Sequence, residues 1–335
     1  MHVVLTLTCL LLSFVALGCD SGIGDSANSS RRTIAVIPKG TSQEFWKSVH
    51  AGAIKAAQEV NVDLIWQGPV KQDDREQQVG VMESMTVRGV DGIVIAPVDN
   101  VALAAPTEDA TRRGIPVVII DSGLESDAYV SFVATDNYKG GVVAADHLAK
   151  LLGKSGKVVM LRNQVGSAST MHREAGFLDA MKKYPKIEVV SSDQRAGSTT
   201  ELAQQKAEQV LATFKDTGSN TLTVDGIFTP CEPVSFGMML AMEDNNVAGK
   251  VKHVGFDASP QLVDGLNRKN IDALVVQNPF MMGYLGVKSI VEQLDGKPVK
   301  KRIDTGVHLI TPDNMGDPTN KKLLDPDLDR WLKHQ

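Results

Sequence analysis

Two large aromatics, Phe45 and Trp46, stand side by side in IAVIPKGTSQEFWKSV, where an apolar run gives way to a polar loop and then a helical pattern. Consecutive helical residues point about 100° apart, so both rings cannot lie on one narrow core stripe. Lys39 sits just before them, at the end of the apolar run. Other chemistry-bearing residues recur in the same kind of place: Asp121-Ser122, the loop after Arg162, Cys231-Glu232, Asp257 and Gln277. In open α/β sheets, ligands bind outside the carboxyl ends of the strands. Carboxylates and amides placed there exchange hydrogen bonds with hydroxyls, and aromatic rings add flat apolar area. A sugar ring, with hydroxyl edges and C–H faces, calls for that combination. The candidate ligand-binding residues are therefore Lys39, Phe45, Trp46, Asp121, Glu232, Asp257 and Gln277.

Each also has an ordinary reading. Asp121 and Asp257 could cap the turns after their strands, Gln277 could satisfy backbone groups, and Lys39 could be a solvated loop charge. Cys231 reads most simply as a small buried hydrophobe. Other chemistries find little support. No G-x-G-x-x-G follows a strand, and no G-x-x-x-x-G-K-[ST], H-E-x-x-H, C-x-x-C or G-x-S-x-G occurs. The histidines are scattered; His172, opening a helix after the serine-rich GSAST, is the one placed to matter. Neither a metal nor a cofactor is expected. Serines in that loop are read as helix caps rather than nucleophiles.

The elements that must position these residues alternate. TIAVIP, VDLIW, GIVIAP and IPVVIID are separated by helical stretches at Glu44–Val60, Arg75–Arg88 and Leu103–Arg113, and YVSFVATDN closes the set. KVVMLR, IEVVSSD, DGIFTP and VKHVGFD then alternate with helices at Arg173–Lys183, Glu201–Phe214 and Phe236–Asn245. DALVVQNP, a helix at Gly283–Leu294 and a strand at Asp304–Leu309 follow. Alternation of this kind builds parallel sheets covered by helices, and the nearly continuous Ile/Val/Leu runs suit strands buried on both faces. Neither half completes itself. The chain is expected to cross between two similar lobes near Thr135-Asp136, Gln277-Asn278 and Gly306. Multiple crossings suit a hinge.

The whole chain has 335 residues, 42% of them hydrophobic and 22% charged, with a net charge of -5. This suits a soluble protein of two domains and argues against a nucleic-acid partner. The N-terminus differs: HVVLTLTCLLLSFVALGC is apolar, ends in small residues, and gives way to DSGIGDSANSSRR. It reads as a secretory signal followed by a flexible tether, and Ala16-Leu17-Gly18-Cys19 resembles a bacterial lipobox with Cys19 as the lipidated residue. With Cys9 in the signal and Cys19 acylated, Cys231 has no intrachain partner.

At this point the chain resembles the periplasmic solute-binding proteins of the ribose-binding type, sugar receptors of ABC importers, over roughly Thr33 to Thr311. EFWKSVHAGAIKAA, TVRGVDGIVIAPVD, IPVVIIDSG, ATDNYKGGVVAADHLA, HREAGF, VGFDASPQLVDGL and VVQNPFMMGYLGVKSI carry the resemblance in that order. It implies an α/β fold of the type I periplasmic-binding-protein kind: two Rossmann-like lobes with parallel sheets, joined by a three-stranded hinge. The implied segments are a lipoprotein signal peptide at 1–19 and a flexible tether at 20–32. An N-terminal lobe of 33–135 plus 278–306 and a C-terminal lobe of 136–277 plus 307–315 follow, then an irregular tail at 316–335.

By the same resemblance, Phe45 and Trp46 match paired aromatics that sandwich a sugar ring, and Asp121, Asp257 and Gln277 match hydroxyl contacts. Lys39 stands at a further contact position. Ser122 and Met171 replace two arginines of the ribose-type sites, and Cys231 replaces an asparagine. Arg173 matches an arginine that supports a loop. These departures favour the class of small polyhydroxy ligand over ribose itself.

The implied protein is no enzyme. It is a monomeric extracytoplasmic receptor, lipid-anchored to the membrane, that delivers a sugar or polyol to an ABC permease. A furanone-type signal or a sugar acid is the alternative ligand, the latter through Lys39. A secreted carbohydrate-active enzyme using Asp121 and Asp257 is the alternative of a different class. A sugar-sensing transcription regulator would need a DNA-binding motif where residues 1–32 have a signal and a tether.

Overall fold

Alternate residues of the first strand face opposite sides of a sheet, and both sides are covered. In a computed structural model describing residues 31–216, 218 and 221–333, strand β1 (Thr33–Ile37) directs Ile34 and Val36 into one apolar cluster and Ala35 and Ile37 into another. The expected signal peptide, Cys19 and residues 20–30 of the expected tether lie outside the described residues. Its last two residues are tied to the fold, Arg31 to Asp63 at 3.0 Å and Arg32 to Asp295 at 2.6 Å.

After β1 come α1 (Glu44–Val60), β2 (Asp63–Trp66), α2 (Arg75–Arg88), β3 (Gly92–Ile95), α3 (Ala104–Arg112), β4 (Val117–Ile120) and β5 (Ser131–Ala134). The alternation resumes with α4 (Asn137–Leu151), β6 (Gly156–Met160), α5 (Ala168–Met181), β7 (Ile187–Ser191), α6 (Thr200–Thr213), β8 (Gly226–Phe228), α7 (Glu232–Asp244), β9 (Lys252–Phe256), α8 (Pro260–Asn267) and β10 (Ala273–Val276). The chain ends through α9 (Pro279–Leu294), β11 (Arg302–Asp304), β12 (His308–Ile310), α10 (Pro318–Leu324) and α11 (Asp329–Leu332).

The strands form two six-stranded sheets of the same topology, β11-β5-β4-β3-β1-β2 and β12-β10-β9-β8-β6-β7. All neighbours are parallel except β10 and β12, which run antiparallel. The chain thus passes from one sheet to the other after β5, after β10 and between β11 and β12. This is a two-lobe α/β architecture.

Local chemistry sets the element boundaries. Helices α1 and α2 span the residues expected of them. Helices α7 and α9 start earlier than expected, at Glu232 and Pro279, because Pro233 and Pro279 occupy first-turn positions where a missing N–H costs nothing. Helix α5 also starts earlier, at Ala168, and α4 and α8 add to the expected set. The single strand expected at Asp304–Leu309 is two strands in different sheets. Between them Gly306 takes φ +83°, and its N–H donates to Asp304 Oδ1 at 2.9 Å, which turns the chain. The expected irregular tail is corrected as well: α10 buries Leu324 in the cluster of Leu262, Leu274 and Ile310.

Two devices hold the site's framework. Gln78, fully buried on α2, donates from Nε2 to the carbonyls of Pro38 (2.9 Å) and Ala96 (2.8 Å) and accepts from the N–H of Val98 at 2.8 Å. One amide thereby fixes the chain leaving both β1 and β3. In the second lobe α4 and α5 touch backbone to backbone: a Cβ on Gly141 would lie 2.0 Å from the Arg173 carbonyl, and one on Gly176 would lie 2.1 Å from that of Tyr138. Only glycine permits this approach, which seats Arg173 against the cleft.

Candidate functional site

Two aspartates end equivalent strands. Asp121 follows β4 and Asp257 follows β9, each in the left-handed region at φ +60° and +69°. Each N–H donates to the neighbouring strand, Asp121 to Val133 and Asp257 to Val275. Aspartate is among the few residues that adopt this conformation readily, and backbone held there collects at functional sites. The two turns bring both carboxylates into one cavity between the lobes.

All seven candidates line that cavity, which has about 360 Å³ of space not filled by protein atoms, part of it open to solvent. Lys39 is not a solvated loop charge. It is 4% exposed, its Nζ lies 2.8 Å from Asp121 Oδ2, and it donates at 3.1 Å to both Ser167 Oγ and Ser169 Oγ across the cleft. The serines of the GSAST stretch therefore serve Lys39; the Ser167 side chain makes no capping bond at the start of α5. Ser122 accepts from the N–H of Ser169 at 3.1 Å, a further link between the lobes.

Arg173, expected to support a loop away from the ligand, lines the cavity and is 2% exposed. Its Nε donates to Asn137 Oδ1 at 2.8 Å and Nη1 to the Pro230 carbonyl at 2.9 Å. The guanidinium lies 4.0 Å from Asp121 Oδ1 and 3.6 Å from Asp257 Oδ2, with its carbon 4.0 Å from the centre of the Phe256 ring. Met171, at the position of the replaced arginine, is instead exposed at the start of α5 and does not line the cavity. Asn163, Ser167, Ser169, Thr170 and Gln72 also line it. The loop after Arg162 announced the first of these; nothing in the sequence marked Gln72.

The aromatics answer the spacing that singled them out. Trp46 is 2% exposed and packs into the first lobe's core while lining the cavity; Phe45 is half-buried beside it. Their rings touch edge to face, with centroids 4.9 Å apart and planes at 79°, forming an L-shaped wall rather than a slot with room between them.

Several buried polar atoms in this lining have no protein partner among the described residues: Trp46 Nε1, Asn163 Oδ1, Glu232 Oε2 and Gln277 Oε1. Gln277 donates from Nε2 to Asp257 Oδ1 at 2.6 Å, which leaves its carbonyl oxygen as a free acceptor. Burial, then repulsion from Asp257 and Glu44, pushes the Glu232 carboxyl up to about 8. Burial also raises Asp257, against the pull of Arg173. The Cys231 thiol is pushed up to about 12, chiefly by burial and then by Asp257, so it is a poor nucleophile. His172 is exposed on α5 and does not line the cavity.

Comparison with known proteins accords with this architecture. Residues 34–298 match the periplasmic binding protein domain. The ribose import binding protein RbsB of Bacillus subtilis is 29% identical over 312 residues, covering 92% of this chain and 97% of that protein. RbsB of Haemophilus influenzae is 30% identical over 286 residues, covering 85% and 94%. Among solved structures, a carbohydrate transporter solute-binding protein from Agrobacterium radiobacter in complex with D-arabinose superposes with TM-score 0.83 at 32% identity, covering 88% of this chain and 99% of that one. An ABC transporter solute-binding protein from Agrobacterium vitis with bound D-fucose gives TM-score 0.82 at 34% identity, covering 87% and 99%. A family match over most of the chain, with two sheets of one topology flanking a polar cleft, makes this chain a member of the periplasmic binding protein family.

Proposed function

We propose that the protein captures a neutral sugar or sugar-like polyol between its lobes and delivers it to an ABC permease. Its family consists of extracytoplasmic solute-binding proteins rather than enzymes, and the relatives are named for ribose and other neutral sugars. The observation that carries the choice of ligand is the set of unpartnered acceptors. Gln277 Oε1 and Asn163 Oδ1 are buried acceptors that take hydrogen-bond donors from the ligand, and Trp46 Nε1 is a buried donor beside them. A polyol supplies donors; a carboxylate or phosphate supplies lone pairs. Both cavity cations are already engaged, Lys39 by Asp121 and two serines, Arg173 by Asn137, Pro230 and the aspartates. An anionic ligand would have to break those bonds, so the sugar-acid reading loses its main support. Lys39 positions Asp121 and does not select charge.

In this reading the ring packs against the corner of Phe45 and Trp46, and Asp121, Glu232, Asp257 and Gln277 take its hydroxyls. The lobes are residues 33–135 plus 278–306 and 136–277 plus 307–315, hinged where the chain crosses between sheets. Ligand favours the closed arrangement by contacting both lobes. Titration calorimetry of Asp121→Asn against wild type tests the site. Loss of a charged acceptor predicts affinity for the bound sugar reduced by roughly ten- to a hundredfold; equal affinities would remove Asp121 from the binding role.

The anchor and the oligomeric state belong to the same proposal: a monomer held to the membrane through acylated Cys19. The support is the Ala16-Leu17-Gly18-Cys19 stretch at the end of the apolar run. Mass spectrometry of the mature N-terminus decides it, an unmodified Cys19 or a different first residue being the contrary result.

A further inference from the structure

A second chamber of about 540 Å³, part of it open to solvent, adjoins the cleft cavity. The two share Phe45, Asp257 and Gln277, so the spaces adjoin at these residues. The chambers differ in chemistry. The cleft cavity is lined by ion pairs and amides, whereas the second chamber has an apolar wall of Ala258, Pro260, Val276, Pro279, Leu323 and Leu328, with the polar Glu44, Ser48, Ser259 and Asp325 also in its lining. Four separate parts of the chain enclose it: the start of α1, the loop after β9, the turn from β10 into α9, and the tail from the end of α10 to α11.

The tail is held in that position from both sides. Leu324 is buried in the second lobe's cluster with Leu262, Leu266 and Ile310. Trp331, beyond it on α11, lies with its ring centroid 6.5 Å from that of Phe280 at the start of α9. The chamber is therefore a built feature that a polyol alone would leave unused.

We propose that this chamber takes an apolar extension of the ligand, the aglycone of a glycoside, while the sugar ring occupies the cleft cavity. The inference rests on the sugar reading above. Phe45 suits the junction, since its ring presents area to both spaces, and Asp257 and Gln277 hold the sugar's hydroxyls on one side of it. An aglycone in the chamber touches both lobes and the tail, and so adds to closure.

The test is calorimetric titration of the chain lacking residues 1–19 with free D-ribose, D-allose and D-arabinose and with the phenyl glycoside of each. For the sugar that binds, the glycoside is expected to bind at least about tenfold more tightly, the gain from burying one aromatic ring. Leu328→Trp, which fills the chamber from the tail, abolishes that gain and leaves the free sugar's affinity unchanged. Leu328→Ser, which strips the apolar wall, reduces it, so the result does not depend on one variant folding. A free sugar that binds while its phenyl glycoside does not overturns the inference and spares the sugar reading. A gain indifferent to both substitutions also overturns it. Binding of neither sugars nor glycosides overturns both.

Discussion

Glu232 illustrates how much a single residue's surroundings decide. At the start of α7 its Oε2 is buried without a partner, facing Asp257 and Glu44, with Lys47 as the countervailing charge. The folded protein holds this proton up to about 8, against an ordinary 4.5. Between those values the folded state binds more protons than the unfolded chain, so stability falls as pH rises through the window, by at most about 1.4 kcal/mol per pH unit. Glu232→Gln removes this part of the slope; Asp257, also raised, leaves a remainder of the same sign. Urea denaturation of both proteins across the window checks this, and parallel pH profiles would contradict it. At this scale the sequence was readable where residue type and strand-end position coincide, which is why Lys39, Phe45, Trp46, Asp121, Glu232, Asp257 and Gln277 share one cavity. Arg173 lines the cleft instead of a supporting loop because its direction depends on the glycine-mediated contact of α4 with α5, which no local pattern reports. Gln72 enters from a loop with no periodicity to mark it.

Among the elements, the loop from β6 to α5 does the most to join the lobes. Gly166 there has φ +93°, its carbonyl accepts from the N–H of Asn100 at 3.1 Å, and a Cβ would lie 2.2 Å from Asp99 Oδ2. Asp99 is itself paired with Arg75 at 2.9 Å, and Arg75 also donates to the Val165 carbonyl. Nearby, Gln164 donates to the Gln72 carbonyl at 2.7 Å and Ser198 to Asp73 Oδ2 at 2.6 Å. Gly166→Ala must both strain the turn and force the rims apart, at a cost of about 1–2 kcal/mol or more. The expected result is ligand affinity weakened at least about tenfold with the fold intact by circular dichroism. Unchanged affinity would show that the rim contact does not contribute to closure. Element positions were legible where apolar periodicity was strong, as in α1 and α2. They were missed where proline opens a helix, as in α7 and α9, or where a helix gains its stability from docking, as α10 does through Leu324.

For the whole molecule, two lobes of one topology place equivalent aspartates on either side of a cleft and share three chain crossings. The sequence displayed this doubling in its alternation of apolar runs and helices, and displayed the incompleteness of each half. It could not display where the tail docks, since that depends on surfaces brought together only by folding. The central claim is that the cleft takes a neutral, donor-rich ligand and that its two cations serve its own carboxylates. The most direct measurement is a thermal-shift screen of the chain lacking residues 1–19 against neutral pentoses, hexoses and polyols beside their sugar acids and phosphates. A ligand that binds only the folded state raises the melting temperature by mass action. A clear rise is expected with at least one neutral sugar and none with its acid or phosphate. A rise confined to the charged compounds, or none with any of them, would contradict it.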